Sequence, residues 1–243
     1  MKLSPFLNAL TDILFPPLCH ACREFIPDAG AVHLCAGCLA GSPAIVSPLC
    51  PVCGEPFATE GGSDHPCGGC TASPPPFVAA RGAVRFDGPV REVIHRFKYG
   101  KKVHHARPLG LLAATRLAGF AAAAAADLVV PVPLHLKKVR QRGFNQAVLL
   151  GERLAGAWRL PLSRNNLRRI RWTEPQIGLS AAERRENVRD AFGVLHPPEI
   201  AGRRIILVDD VYTTGSTVAE SAETLMNSGA AAVFVVTVAR AVS

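Results

Sequence analysis

The chain has 243 residues, 49% of them hydrophobic and 19% charged, with a formal net charge of +8. That length suits one full α/β domain plus a smaller module, since single domains usually run to about 100–200 residues. No apolar stretch reaches the ~20 residues needed to cross a bilayer, which excludes a helical membrane span and leaves a soluble, cytoplasmic protein as the expectation.

At the N-terminus, Leu3, Phe6, Leu7, Leu10, Ile13 and Leu14 recur at helical spacing behind Ser4-Pro5. Asn8, Thr11 and Asp12 interrupt any signal-peptide core, so a short helix is expected there rather than an export signal. All eight cysteines follow by residue 70, as four Cys-x-x-Cys pairs: Cys19/Cys22, Cys35/Cys38, Cys50/Cys53 and Cys67/Cys70. In a reducing cytosol such thiols favour metal thiolates over disulfides. Spacers of 12 and 13 residues within the two successive sets match two tetrahedral four-cysteine zinc sites, structural rather than catalytic. Sequential pairing is favoured, and a cross-braced arrangement also fits the spacing. His20, His33 and His65 lie nearby, but four thiolates per site leave them no necessary role, so they are expected at the surface.

Pro74-Pro75-Pro76 neither continues a helix nor donates to a sheet ladder, and marks a join between a zinc module (residues 1–76) and an α/β domain (77–243). Charge divides at the same place: 2 Lys/Arg against 6 Asp/Glu before it, 25 against 13 after it, or −4 and +12. A polyanionic partner would be drawn to the second part.

Beyond the join, Val90, Val93, Ile94 and Phe97 form one helical face; Leu109, Leu112, Ala113 and Leu117 form another, which the run Ala121 to Ala126 extends or frays. Asp127 to Pro133 reads as a buried strand running into a rigid loop, and a helix near 146–157 follows a basic stretch. Ala191 to Leu195 and Arg203 to Val208 are strands, Val218 to Ser228 is a helix closed by Gly229, and Ala231 to Ala239 is a last apolar strand. Alternating strands and helices imply an α/β fold with a mainly parallel sheet covered on both faces.

The chemistry concentrates in Ile205-Ile-Leu-Val-Asp209-Asp210-Val211-Tyr212-Thr213-Thr214-Gly215-Ser216-Thr217. An apolar strand delivers two carboxylates toward its carboxyl end, where α/β sheets bind ligands. Small hydroxyl residues and Gly215 then lead into a helix, for which Thr217 and Glu220 spell a capping box. A phosphate would sit on that helix N-terminus, while Asp209 and Asp210 accept hydrogen bonds from vicinal ribose hydroxyls. The plainer alternative is a capped turn with two solvated aspartates. A second candidate is Pro131-Val132-Pro133 with the donors of Lys137 to Gln146, which would hold a pyrophosphate or, equally, form a solvated basic face.

Residues 205–217 resemble the phosphoribosyl pyrophosphate signature of type I phosphoribosyltransferases; Thr213 stands where the purine-specific branch has an acid, which argues against purine salvage. From Leu14-Phe15-Pro16 through Phe97-Lys98-Tyr99, Pro131 to Leu134, Arg142 to Gln146, Thr173 with Pro175-Gln176, Arg184 with Asn187, Ala191-Phe192 and Val208 to Gly215, the chain resembles the ComF family of competence-associated proteins. That resemblance implies a double zinc ribbon joined to a type I phosphoribosyltransferase-like domain. It implies Mg²⁺ with phosphoribosyl pyrophosphate or a nucleotide, Arg140 and Arg142 on the pyrophosphate side, and residues 163–187 as a hood over the site. DNA-uptake proteins and single-stranded DNA would be its partners.

Arg164, Arg168, Arg169 and Arg171 run into Trp172, a combination suited to a phosphate backbone with a stacked base; Arg184, Arg185 and Arg189 would extend it. Trp172 packed in a core beneath a solvated basic face is the competing reading. Two functional classes follow: a transferase in which a nitrogen nucleophile displaces pyrophosphate from the anomeric carbon, and a binding protein that senses phosphoribosyl pyrophosphate while its basic surface holds DNA.

Overall fold

The computed structural model describes residues 16–27, 32–59, 61–100, 102–173 and 181–242; the expected helix over 3–14 and the Pro175-Gln176 pair lie outside them, as does the Arg185 side chain. Four parallel strands form the central sheet: β1 (Ala79–Arg85), β2 (Leu128–Pro131), β5 (Arg204–Tyr212) and β6 (Ala232–Arg240), in the order β1-β6-β5-β2. β3 (Leu167–Arg169) and β4 (Phe192–Val194) pair antiparallel with each other in a separate two-stranded sheet. The expected strand at 191–195 is therefore present but stands outside the main sheet.

Every residue of β6 is buried, because helices or zinc modules cover both faces of the sheet and leave no side on which a polar residue would meet water. One face carries α3 (Gly88–Tyr99), α4 (Ala106–Arg116) and α7 (Gln146–Trp158), whose Ile94, Phe97, Leu109, Leu150 and Leu154 pack with Ile206, Val208 and Val236. Each such side chain contributes roughly 1.5–3 kcal/mol. α9 (Ser216–Asn227) covers the other face, setting Val218, Ala222 and Leu225 against Ile205, Leu207 and Val233. The alanine run forms a separate helix, α5 (Ala118–Ala124), that stops at Ala125 in the left-handed region with φ +45°. The basic stretch forms α6 (Leu136–Arg142), which ends on Gly143 at φ +91° before Asn145 caps α7 by accepting from the Ala147 amide.

Short helices α1 (Ala36–Ala40) and α2 (Gly68–Ala72) each carry the last cysteine pair of a ribbon, and α8 (Ala181–Val188) precedes β4. The two ribbons straddle the β1 edge of the sheet. Cys19, Ala21, Ile26, Leu34 and Cys38 join the core on the α3/α4 side; Cys50 and Cys53 join the core on the α9 side with Phe77 and Ala80. Main-chain contacts close the edge: Ala44 bridges Val84, and the Ala80 amide donates to the Val52 carbonyl at 2.7 Å. An otherwise open strand edge is thereby covered. Gly54, at φ +72°, makes that approach possible, since a Cβ there would lie 2.5 Å from the Ala80 carbonyl oxygen. Among the described residues no helix is long and apolar enough to cross a membrane.

Candidate functional site

The cysteines gather sequentially. Cys19, Cys22, Cys35 and Cys38 form one set and Cys50, Cys53, Cys67 and Cys70 the other, with all ligand atoms of a set within 4.8 Å of one another. The Sγ atoms of Cys22 and Cys35, and of Cys53 and Cys67, stand 3.7 Å apart. A zinc tetrahedron with Zn–S bonds of ~2.3 Å has edges of about 3.8 Å, so the sulfurs fit the ion. Backbone amides point at them, Cys35 and Cys67 donating to Cys19 and Cys50 Sγ at 3.4 and 3.3 Å. Burial raises the thiol pKa of Cys19 and Cys50, but these and neighbouring backbone donors outweigh it and bring both to about 6.

Asp209 and Asp210 remain within the strand: β5 stays paired with β6 as far as Tyr212, whereas its other neighbour, β2, stops at Pro131 opposite Val208. Past that point the β2 side is open, and both acids line a cleft of about 260 Å³ there. Lys98, from the last turn of α3, places Nζ 2.9 Å from Asp210 Oδ1. Burial opposes the charge on Lys98, and the two carboxylates more than offset it, so its pKa is raised. The other oxygen, Asp210 Oδ2, is buried with no hydrogen-bond partner among the described residues. Burial and then the charge of Asp210 push Asp209 up to about 7. Lys138, Arg142 and Arg169 face the same cleft. Burial, followed by the charges of Arg142, Arg169 and Lys98, lowers the pKa of Lys138, and burial lowers that of Arg169. Among the described residues four cations stand against two acids in the cleft, an excess of positive charge.

After Tyr212 the chain turns through Thr213 and Thr214 to Gly215, in the left-handed region at φ +79°, where a Cβ would lie 2.2 Å from Tyr212 Oη. Gly215 itself is the N-cap of α9, which starts at Ser216. The expected capping box is thus displaced: Thr217 lies inside the first turn, and the Glu220 carboxylate accepts instead from the Asp190 amide at 2.7 Å. Thr214 Oγ1 and Ser216 Oγ lie 3.0 Å apart. The second ribbon supports this loop from behind. Arg240 lies over the Tyr212 ring at 4.3 Å, pairs with Glu55, and donates to Cys53 Sγ at 3.5 Å.

The residues read from the sequence divide between two neighbouring clefts. Asp209, Asp210, Val211, Thr213, Thr217, Val132 and Arg142 line the 260 Å³ cleft. Tyr212, Thr213, Thr214, Gly215 and Ser216 line a second, of about 750 Å³, between the loop and Cys53, Cys67 and Cys70. Pro131 is the buried end of β2, and Arg140 is exposed and lines neither cleft; Arg142, two residues on, is buried and donates to Gln146 Oε1. The arginine cluster splits. Arg164 pairs with Glu152 at 2.8 Å, Arg168 is exposed, Arg171 is exposed and donates to the Asn187 and Arg189 carbonyls, and Arg169 turns inward to Thr173. Trp172 is neither in the core nor free on the surface; it lines the cleft beside His135, 5.2 Å between ring centroids.

A double zinc ribbon domain model matches residues 10–71. The DNA utilization protein YhgH of Escherichia coli K12 is 36% identical over 225 residues, covering 90% of this chain and 94% of that protein. This chain belongs to the ComF family. Another relative, competence protein F of Haemophilus influenzae, is 40% identical over 116 residues, 47% of this ComF chain and 51% of its own. Among solved structures, a phosphoribosylpyrophosphate synthetase from Mycobacterium smegmatis aligns with 53% of the ComF chain and 33% of its own at 20% identity and a TM-score of 0.34. Of the two lysines in the cleft, Lys138 falls within the basic stretch read from the sequence as a pyrophosphate holder, whereas Lys98 carries no site role there. Lys98 is one of three cations in α3, with Arg91 and Arg96, so nothing in the helical pattern marks it out. Strand β1 has no sequence signature of its own, because Ala79-Ala-Arg-Gly-Ala-Val-Arg85 lacks an apolar run; its Arg81 donates to the Pro51 carbonyl at 2.9 Å.

Proposed function

We propose that the chain binds phosphoribosyl pyrophosphate with Mg²⁺ through residues 77–243 and handles single-stranded DNA on the same domain, with residues 1–76 as the zinc module. The observation that carries the first part is the cleft's unbalanced charge: Lys98, Lys138, Arg142 and Arg169 surround two acids, and an oligophosphate relieves their mutual repulsion. Asp209 and Asp210 Oδ2, which has no hydrogen-bond partner among the described residues, supply acceptors for the ribose hydroxyls. The left-handed turn at Gly215 and the N-terminus of α9 supply donors for the 5′-phosphate. Mg²⁺, when bound with the ligand, would neutralise pyrophosphate charge and sharpen its orientation. The protein's own part is positioning: Lys98 fixes Asp210, and the Arg240–Tyr212 stack fixes the loop. Titration calorimetry tests this. Asp210→Asn and Thr214→Val should each weaken Mg²⁺-dependent binding by about 1–3 kcal/mol, and wild-type affinity in both variants would remove the loop from the site.

The DNA part is supported by the relatives' names, DNA utilization and competence, and by the net +12 of residues 77–243. Changing Arg168 and Arg171 together to Gln should flatten the slope of log affinity on log salt by roughly one unit, at about −0.7 per phosphate. An unchanged slope would leave them a solvated face. Trp172 in the cleft favours a second reading, in which it stacks on an acceptor base and the chain is a transferase. Pyrophosphate release across a panel of bases, abolished by Trp172→Ala, would establish turnover.

A further inference from the structure

His20, expected at the surface, is half-buried, and it meets two histidines from the turn between α3 and α4. His105 is fully buried, and both its ring nitrogens lack a hydrogen-bond partner among the described residues. A neutral imidazole carries one donor and one acceptor, and burying both unmet is unfavourable unless something else satisfies them. The ligand nitrogens of His20, His104 and His105 all lie within 4.8 Å of one another. Ring centroids are 4.8 Å apart for His20 and His105 and 4.3 Å for His104 and His105.

We propose that His20, His104 and His105 form a third metal site, for a divalent first-row transition ion such as Zn²⁺, that ties the first ribbon to the α/β domain. Three neutral imidazoles suit such ions, and with M–N bonds of ~2.0–2.1 Å a tetrahedral site needs nitrogen separations of about 3.4 Å. Ring rotations of the partly exposed His20 and His104 close that gap onto the fixed His105. The backbone is already tied: Arg96 donates to the His20 and Ala21 carbonyls at 2.9 and 3.0 Å, and the His20 amide donates to His33. Burial first, then the neighbouring imidazoles, Arg23 and Lys102 keep His105 uncharged with its lone pair available. Those two cations oppose a dication. The adjacent zinc-thiolate centre, whose Cys19 precedes His20, carries a net charge of −2 that balances them.

The test uses the full chain, purified under reducing conditions with its two thiolate centres zinc-filled, and titrated with Co²⁺. One equivalent should bind with the visible d–d bands of a nitrogen-rich site and without thiolate-to-cobalt charge transfer, raising total metal from two equivalents to three, one for each set of ligands. His104→Ala, an exposed position, should return the count to two, while the exposed control His65→Ala leaves three. A wild-type total of two, cobalt that displaces zinc from thiolates, or a third equivalent retained by His104→Ala would each show the histidines to be aromatic packing alone.

Discussion

Replacing Lys98 with Met removes, among the described residues, the one cation paired with Asp210, at 2.9 Å, in a pair whose side chains are 20% and 4% exposed. Asp210 would keep a buried charge with both oxygens unsupported, since Oδ2 already lacks a partner among the described residues. Breaking a buried pair from one side costs about 3–5 kcal/mol. Water reaches Lys98, so the lower end, about 3 kcal/mol, is expected. For a chain of this size that corresponds to a melting temperature lower by roughly 6–12 °C, at 2–4 °C per kcal/mol. Asp210→Asn should cost only about 1 kcal/mol, because the freed ammonium can turn to solvent. The double variant leaves no unpaired charge at these two positions and should cost only about 1 kcal/mol, for a coupling of about 3 kcal/mol. Thermal and urea unfolding of the four proteins measure the cycle. Costs that add within ~0.5 kcal/mol would show that Lys98 and Asp210 do not depend on each other.

Gly215→Ala forces an L-residue into the left-handed region, at about 1–2 kcal/mol, and drives a methyl group into Tyr212. Calorimetry should show phosphoribosyl pyrophosphate binding lost while melting falls by only a few degrees; unchanged binding would detach the loop from the ligand. The carboxyl of Asp209, raised by burial and Asp210 from 3.8 to about 7, holds a proton below neutrality that ribose binding must displace. Affinity should therefore rise up to tenfold per pH unit below 7 and level off above it, whereas the group's contribution to stability falls as pH climbs from about 4 to 7. Calorimetry between pH 6 and 8 checks the first and urea unfolding the second; a flat binding profile would place Asp209 outside the ribose contacts.

Features that rest on local spacing are legible along the chain. Two zinc sets follow from the Cys-x-x-Cys repeats, because a knuckle of four residues aims two sulfurs at one ion whatever surrounds it. The apolar runs of β5 and β6 announce strands buried on both faces, and Gly215 announces a turn that a side chain would obstruct. The remaining features depend on which distant segments meet. Asp209 and Asp210 come to line one cleft because β2 stops at Pro131 while β6 continues, a difference in strand length between segments about a hundred residues apart. Lys98 reaches Asp210 only after α3 packs on the sheet, and Arg169 leaves its arginine neighbours because β3 turns it toward the cleft. His20 reads as a surface residue until the first ribbon docks beside His104 and His105. A charge or an imidazole has no pattern of its own along the chain. Its partner is fixed by packing of the apolar residues around it, so the sequence names the group and the fold names what it touches.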